Sequence, residues 1–373
     1  VISGTPLLAG NFTVTLAASN TAGSGGAPLA LSIAKAVVAL QFGHLRQAYD
    51  GTPRAVTVTT SPAGAPVTVT YDGLVAAPTL PGTYHVAATV DEANAIGMIE
   101  GDLEITITAL LRHAPTLNSE VDGSVQVVLP ESVTFNGNSL VAGDLLVPGT
   151  PTLRQNGPNT VLGGIIDQSG NAAPTGHVVT LNGRSMLGHL VRRVDAINLP
   201  VIAAPVAPAG TRYVSLNQPS ESAGDFATVR NLTLNGSAGV RAIPAGVYGD
   251  LTANGGGGFI LGEAGATEPS VYDLQRLTLN GNVTLQVVGP VVITLANSLS
   301  INGSVVGAVE HPDWLVLKVA AGGITLNGNS TLHAEVLAPN GTVTLNANAT
   351  INGRVSADRL TLNGNAVLNE MIP

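Results

Sequence analysis

Residues 277–282 read Leu-Thr-Leu-Asn-Gly-Asn, and the hexad recurs with small variations through most of the chain. It is VTFNGN at 133–138, VTLNGR at 179–184, LTLNGS at 232–237 and LSINGS at 299–304, then ITLNGN at 324–329, VTLNAN at 343–348 and LTLNGN at 360–365. In an extended strand Leu277 and Leu279 share one face while Thr278 points the other way. Asn280-Gly281 follows, and both residue types tolerate left-handed backbone, so each hexad is a strand running into a corner. Stacked in parallel, such coils align leucines into an interior column, threonines into an outer row and asparagines into hydrogen-bonded ladders. The first asparagines stand at 136, 182, 235, 280, 302, 327, 346 and 363, with gaps of 46, 53, 45, 22, 25, 19 and 17. The last four gaps suit one coil each; the first three suit two coils, or one coil and a loop. No 3.6-residue pattern is sustained and glycine is too frequent for helix. The expectation is a parallel β-helix over 111–373, with Leu279, Ile301, Leu326, Leu345 and Leu362 in one interior row and a Pro-rich surface excursion near 199–210.

Upstream the texture differs. Residues 34–110 hold alternating strands at 56–59, 67–70, 84–87 and 105–108, punctuated by Ser61-Pro62-Ala63-Gly64, which predicts a small antiparallel β-sandwich. Residues 1–33 alternate at Phe12, Val14 and Leu16 and again at Leu29, Leu31 and Ile33. They predict two or three strands, too few for an independent sandwich. The fold class is therefore all-β: small sandwich modules leading into a solenoid.

Composition bounds the function. The 373 residues suffice for two or three domains, and 45% are apolar against 10% charged, which excludes disorder. A net charge of −9 offers no basic face to nucleic acid or anionic lipid. There is no cysteine, hence no disulfide framework and no thiolate metal site. No apolar run approaches the ~20 residues of a bilayer span. Val1 opens directly on strand-like sequence, and the expectation is a mature or trimmed piece of a larger protein.

Three resemblances attach to particular residues. Val1 to Pro6, V-I-S-G-T-P, resembles the C-terminal half of a bacterial Ig-like domain. Tyr49-Asp50-Gly51-Thr52-Pro53, VTVTYDG at 67–73, Pro81-Gly82-Thr83-Tyr84 and Asp91 to Asn94 resemble the MBG (YDG) module of large adhesin-like proteins. Val336 to Asn346, Ile351 to Val355 and LTLNGNAVL at 360–368 are similar to an uncharacterised solenoid domain of pilin-like and surface-exposed bacterial proteins. Through Asn352-Gly353-Arg354 the same stretch is also similar to the ice-binding solenoid family. These resemblances imply a secreted or cell-surface location and an adhesive or structural role, and they carry over no catalytic residues.

Site chemistry is sparse. Parallel β-helices include polysaccharide lyases and hydrolases, but these need carboxylates clustered on adjacent coils. Asp250, Asp273, Glu310, Asp313, Glu335 and Asp358 are scattered singly. His311-Pro312-Asp313-Trp314 holds the sole Trp and is a candidate glycan contact (Trp314, Asp313, His311); the plainer and preferred reading is a loop whose Trp caps a coil edge. The seven histidines show no metal-ligand spacing, and Asp91-Glu92-Ala93-Asn94 reads as a hydrogen-bonded turn before a Ca²⁺ site. The hydroxyl row Thr134, Thr180, Thr233, Thr278, Ser300, Thr325, Thr344 and Thr361 could meet an ice lattice or a polysaccharide. The simpler reading is that Thr suits an exposed strand position, and irregular coil lengths argue against the ice reading. No enzyme activity, cofactor or metal is expected. The favoured function is a fibre, sheath or stalk component that adheres or self-assembles, with Ile2, Phe12, Val14 and Leu16 as the candidate assembly segment. The partners expected are copies of itself, other surface components or a polysaccharide.

Overall fold

Residues 10–33 build one two-stranded hairpin. Gly10–Asn20 and Gly23–Ile33 pair antiparallel, with Phe12 opposite Leu31, Val14 opposite Leu29 and Leu16 opposite Ala27. Directly opposed residues share a face, so the alternation collects its apolar side chains on one side of the ribbon. The computed structural model describes residues 4–158, 160–172 and 175–370; Ile2 lies outside them. The chain divides into two compact units, Val1–Thr106 and Ile107–Pro373.

Within the first unit the expected antiparallel sandwich is corrected to a mixed one. Thr68–Tyr71, Gly82–Asp91 and Ala95–Thr106 pair antiparallel in order, but Ala36–Val37 and Arg46–Ala48 both lie along Ala95–Thr106 in parallel. Between them the chain leaves that sheet to pair Ala39–Gly43 with Thr57–Ser61 in a second sheet, then returns running the same way. Val86, Ala88, Val90, Leu103 and Ile105 are buried between the layers. The Tyr71 hydroxyl accepts the Val56 N–H at 3.0 Å. The strand read at 105–108 ends at Thr106, since Thr108 belongs to the second unit.

The second unit is a parallel β-solenoid whose described residues form a 26-stranded sheet. Each regular coil has three faces: a hexad strand such as Leu299–Asn302, then one such as Val305–Gly307, then one such as Leu315–Val319. Leu279 pairs with Ile301, Ile301 with Leu326, Leu326 with Leu345 and Leu345 with Leu362, and all five are fully buried. Burying a side chain of this size stabilises the fold by roughly 1.5–3 kcal/mol.

Coil order in space is not coil order in sequence. From Arg212 the chain winds coil upon coil to Asn369. The first strands of the unit then stack on that last coil: Ala109 pairs with Val355, Thr116 with Thr361 and Val121 with Leu368. Residues 109–147 continue the stack, followed by the coil Val178–Arg192 and, outermost, the coil Thr152–Asp167. The chain therefore enters the stack at an internal seam, runs to one end, crosses to the other and winds back to meet itself. Arg112 and Asp358 form an ion pair across the seam at 3.1 Å.

The Pro-rich stretch makes this crossing. Its backbone carbonyls are held by Gln126 at Asp195 and by Gln275 at Pro205 and Val206. Gln126 and Gln275 lie on third-face strands six pairings apart. At about 4.8 Å per coil that is about 29 Å, and ten residues of polyproline II at about 3.1 Å each span about 31 Å. Proline thus supplies stiffness and removes N–H donors that would otherwise need partners along the traverse.

Leu326 sits mid-column with a leucine or isoleucine on both sides. Leu326→Asp places an unpaired carboxylate there and should cost about 4 kcal/mol or more. Denaturant unfolding of the variant measures this; a loss under 1 kcal/mol would contradict the assigned register.

Candidate functional site

In each hexad strand the residues between and after the two apolar positions point outward, and register joins them from coil to coil. Ser215, Thr233, Thr252 and Thr278 are consecutive partners. The pairing of Leu279 with Ile301 brings Ser300 beside Thr278. Thr325, Thr344 and Thr361 follow, then Thr116 across the seam, Thr134 and Thr180. All eleven hydroxyl residues are exposed or half-buried. Ten steps of about 4.8 Å make the row about 48 Å long. Arg154, beyond Thr180, is the charge that ends it. Uneven coil lengths do not break the row, because insertions are taken up at corners and in the traverse.

Two residues further along each strand runs the asparagine row. Asn235 donates its side-chain N–H to Asn217, Asn254 to Asn235 and Asn280 to Asn254, at 2.8–2.9 Å. Asn327 donates to Asn302, Asn346 to Asn327, Asn363 to Asn346 and Asn118 to Asn363, at 2.9–3.2 Å. Asn182 donates to Asn136 and Asn156 to Asn182. Every bond points toward the Ser215 end, so the amide dipoles align along the stack. Hydrogen bonds in such a chain reinforce each other, and each amide is held in one rotamer.

The corner after this row requires left-handed backbone. Gly281, Gly303 and Gly328 have φ of 63–69°, and Ala347, which replaces glycine in VTLNAN, has φ 62°. A Cβ there costs about 1–2 kcal/mol, partly offset by the greater unfolded-state freedom of glycine, about 0.5–1 kcal/mol. Ala347→Gly should raise stability by about 0.5–1 kcal/mol, measured as a higher denaturation midpoint; a lower midpoint would contradict the corner geometry.

A shorter ladder lies on the second face. Asn369 donates to Asn352 at 2.8 Å, and Asn352 Nδ2 lies 3.3 Å from Nδ1 of His333. His333 is buried, and burial pushes its pKa below the ordinary 6.5. Nδ1 must be unprotonated to accept the Asn352 N–H. Below pH ~6.5 the unfolded chain binds this proton more readily than the folded one, so stability falls as pH drops. His333→Asn extends the ladder with a group that does not titrate. Melts between pH 7 and 5 should show a smaller acid loss for the variant than for wild type; equal losses would exclude His333 as the source.

Elsewhere, His311 and Trp314 stack with centroids 4.1 Å apart and planes 7° from parallel. Trp314 is half-buried against the core, while His311 and Asp313 are exposed. The imidazole covers one face of the indole, and Pro312–Trp314 form a single 3-10 turn whose Trp314 packs against the solenoid core. Asp91 pairs with Lys35 at 2.6 Å, and Asn94 Oδ1 accepts the Ala9 N–H. Among the described residues no group of three or more His, Asp or Glu side chains is placed to hold a metal ion.

Among the described residues of the solenoid, two acid–histidine pairs escaped the sequence reading. His189 Nδ1 lies 2.7 Å from Asp144 Oδ1, and His113 Nδ1 lies 2.7 Å from Glu131 Oε1. Ser124 Oγ accepts the Asp144 N–H and takes no part in a His–Ser bond. A Cβ on Gly163 would clash with the His189 imidazole, so strand backbone packs closely against its Nε2 edge. Both pairs join neighbouring coils. Also missed were Ser215, Thr252 and Thr116 with Asn217, Asn254 and Asn118; the shorter pattern Ser/Thr-x-Asn would have found them.

Comparison with known families agrees with this geometry. Residues 38–109 match the family model described as MBG domain. Residues 97–369 match the one described as "Putative Ice-binding-like adhesive domain". No curated protein and no solved structure matches the chain. Among the described residues no helix is long and apolar enough to cross a membrane.

Proposed function

Since the chain belongs to the family of ice-binding-like adhesive domains, we propose that it is a non-catalytic adhesive and structural component of a bacterial surface fibre, sheath or stalk. Its hexad face is the adhering surface. The observation that carries this reading is the unbroken hydroxyl row beside a pre-ordered amide ladder. Threonine is stiff at χ1 and each laddered asparagine is already fixed, so binding loses little side-chain entropy. A contact of this kind is weak at any one coil and gains strength by repetition along an extended partner. An extracellular polysaccharide, with hydroxyls repeating over tens of ångströms, is the ligand class this fits. An uncharged contact should hold in high salt.

Binding to insoluble polysaccharides tests the assignment. Thr278→Arg with Thr325→Arg puts two long cations in the middle of the row and should weaken binding at least tenfold, while Trp314→Ala leaves it unchanged. The reverse pattern would move the site to the glycan contact at Trp314, Asp313 and His311. An ice surface offers hydroxyls to the same face, and thermal hysteresis in wild type without polysaccharide binding would replace the proposed ligand.

The fibre reading rests on the hairpin. Phe12, Val14 and Leu16 line an exposed apolar face, which a monomer in water leaves uncovered. Association through this face links copies into a fibre.

A further inference from the structure

The two ends of the solenoid are finished differently. At the Arg212–Leu216 end, residues 217–228 fold into a cap. Arg212 donates to the carbonyls of Ala223 and Asp225, and Arg241 to those of Gln218, Pro219 and Glu221. Leu216, on the terminal coil, is buried.

The opposite end lacks such closure among the described residues. Val125, Leu145 and Leu190 form an interior column at full burial, and Ile165, next in register on the terminal coil, is 45% exposed. Val161, beside fully buried Leu187, is only half-buried, and Leu162 is exposed. Among the described residues the strand Thr160–Asp167 pairs on one side alone, with Met186–Arg192. This end therefore presents an apolar core in section together with a free strand edge, a surface whose hydrogen bonds only another β-strand completes.

The chain carries a matching element. Among the described residues the hairpin 10–33 has edges without a third strand in its sheet; it carries no charged residue, and Val14 on its apolar face is 42% exposed. We infer that the hairpin of one copy docks by strand addition on the terminal coil of a second copy, against Val161, Leu162 and Ile165. The contact is heterologous, since hairpin and coil end are different surfaces, and repetition produces an open filament. This inference rests on the fibre reading above and names the surface that receives the hairpin.

Sedimentation velocity over a concentration series tests it, with circular-dichroism melts to show that each variant is folded. Wild type should form a ladder of oligomers. Val14→Lys alone and Ile165→Lys alone should stay monomeric, because each spoils one half of the contact. Mixed in equal amounts they should form dimers and nothing larger, the intact hairpin of one variant seating on the intact end of the other. Assembly by Ile165→Lys but not by Val14→Lys would overturn the docking site and leave the fibre reading standing. Wild type that stays monomeric at every concentration would overturn both.

Discussion

Parallel register between coils is the constraint on which this architecture depends. Side-chain direction alternates with a period of two, so a shift of one residue between coils would send the leucines out and the threonines in. Leucine over isoleucine, threonine over threonine and asparagine over asparagine all demand the same alignment. The interior column supplies most of the free energy, and the ladders make its register specific. An asparagine facing anything but another asparagine at that corner would leave amide groups in search of partners.

Register on one face leaves the others free to vary. The corners hold loops of unequal length, a half-buried tryptophan and two acid–histidine pairs, none of which displaces a hexad strand. Variation is thereby separated from the surface that must remain regular. The internal seam follows the same rule, since Thr116 meets Thr361 and Asn118 meets Asn363 as if the coils were consecutive. The long traverse through 195–210 is the covalent consequence, and its stiffness makes the crossing short.

Much of this was legible in the sequence, for one physical reason. The hexad combines strand alternation with an Asn-Gly corner, and few structures other than a stacked coil use both at that spacing. The interior column at Leu279, Ile301, Leu326, Leu345 and Leu362 follows directly from it. Coil order was not legible, because equivalent coils are interchangeable: nothing in Thr116-Leu117-Asn118 marks Thr361-Leu362-Asn363 as its neighbour 245 residues away. The members lacking the full hexad, such as Asn217 and Asn254, were hidden by corners of different composition. Asp144 and His189 lie 45 residues apart and meet only through coil stacking. In the first unit, the return of the edge strand to one sheet after visiting another has no local signature.

Interchangeability also makes termination a separate problem. A stack whose coils all accept each other has no intrinsic stopping point, and each terminal coil exposes its core and a row of backbone donors and acceptors. Stopping it takes something that is not a coil. At the Ser215 end that is an irregular loop tied down by two arginines through its own carbonyls, which satisfies polar backbone without offering a new strand edge. Charged side chains serve where the repeat must end, Arg212 and Arg241 at the cap and Arg154 beyond the last threonine, while others flank the rows along the stack, such as Asp250 beside Arg276. Between these ends the two rows themselves carry no charged side chain, which leaves hydroxyl and amide groups as their chemistry.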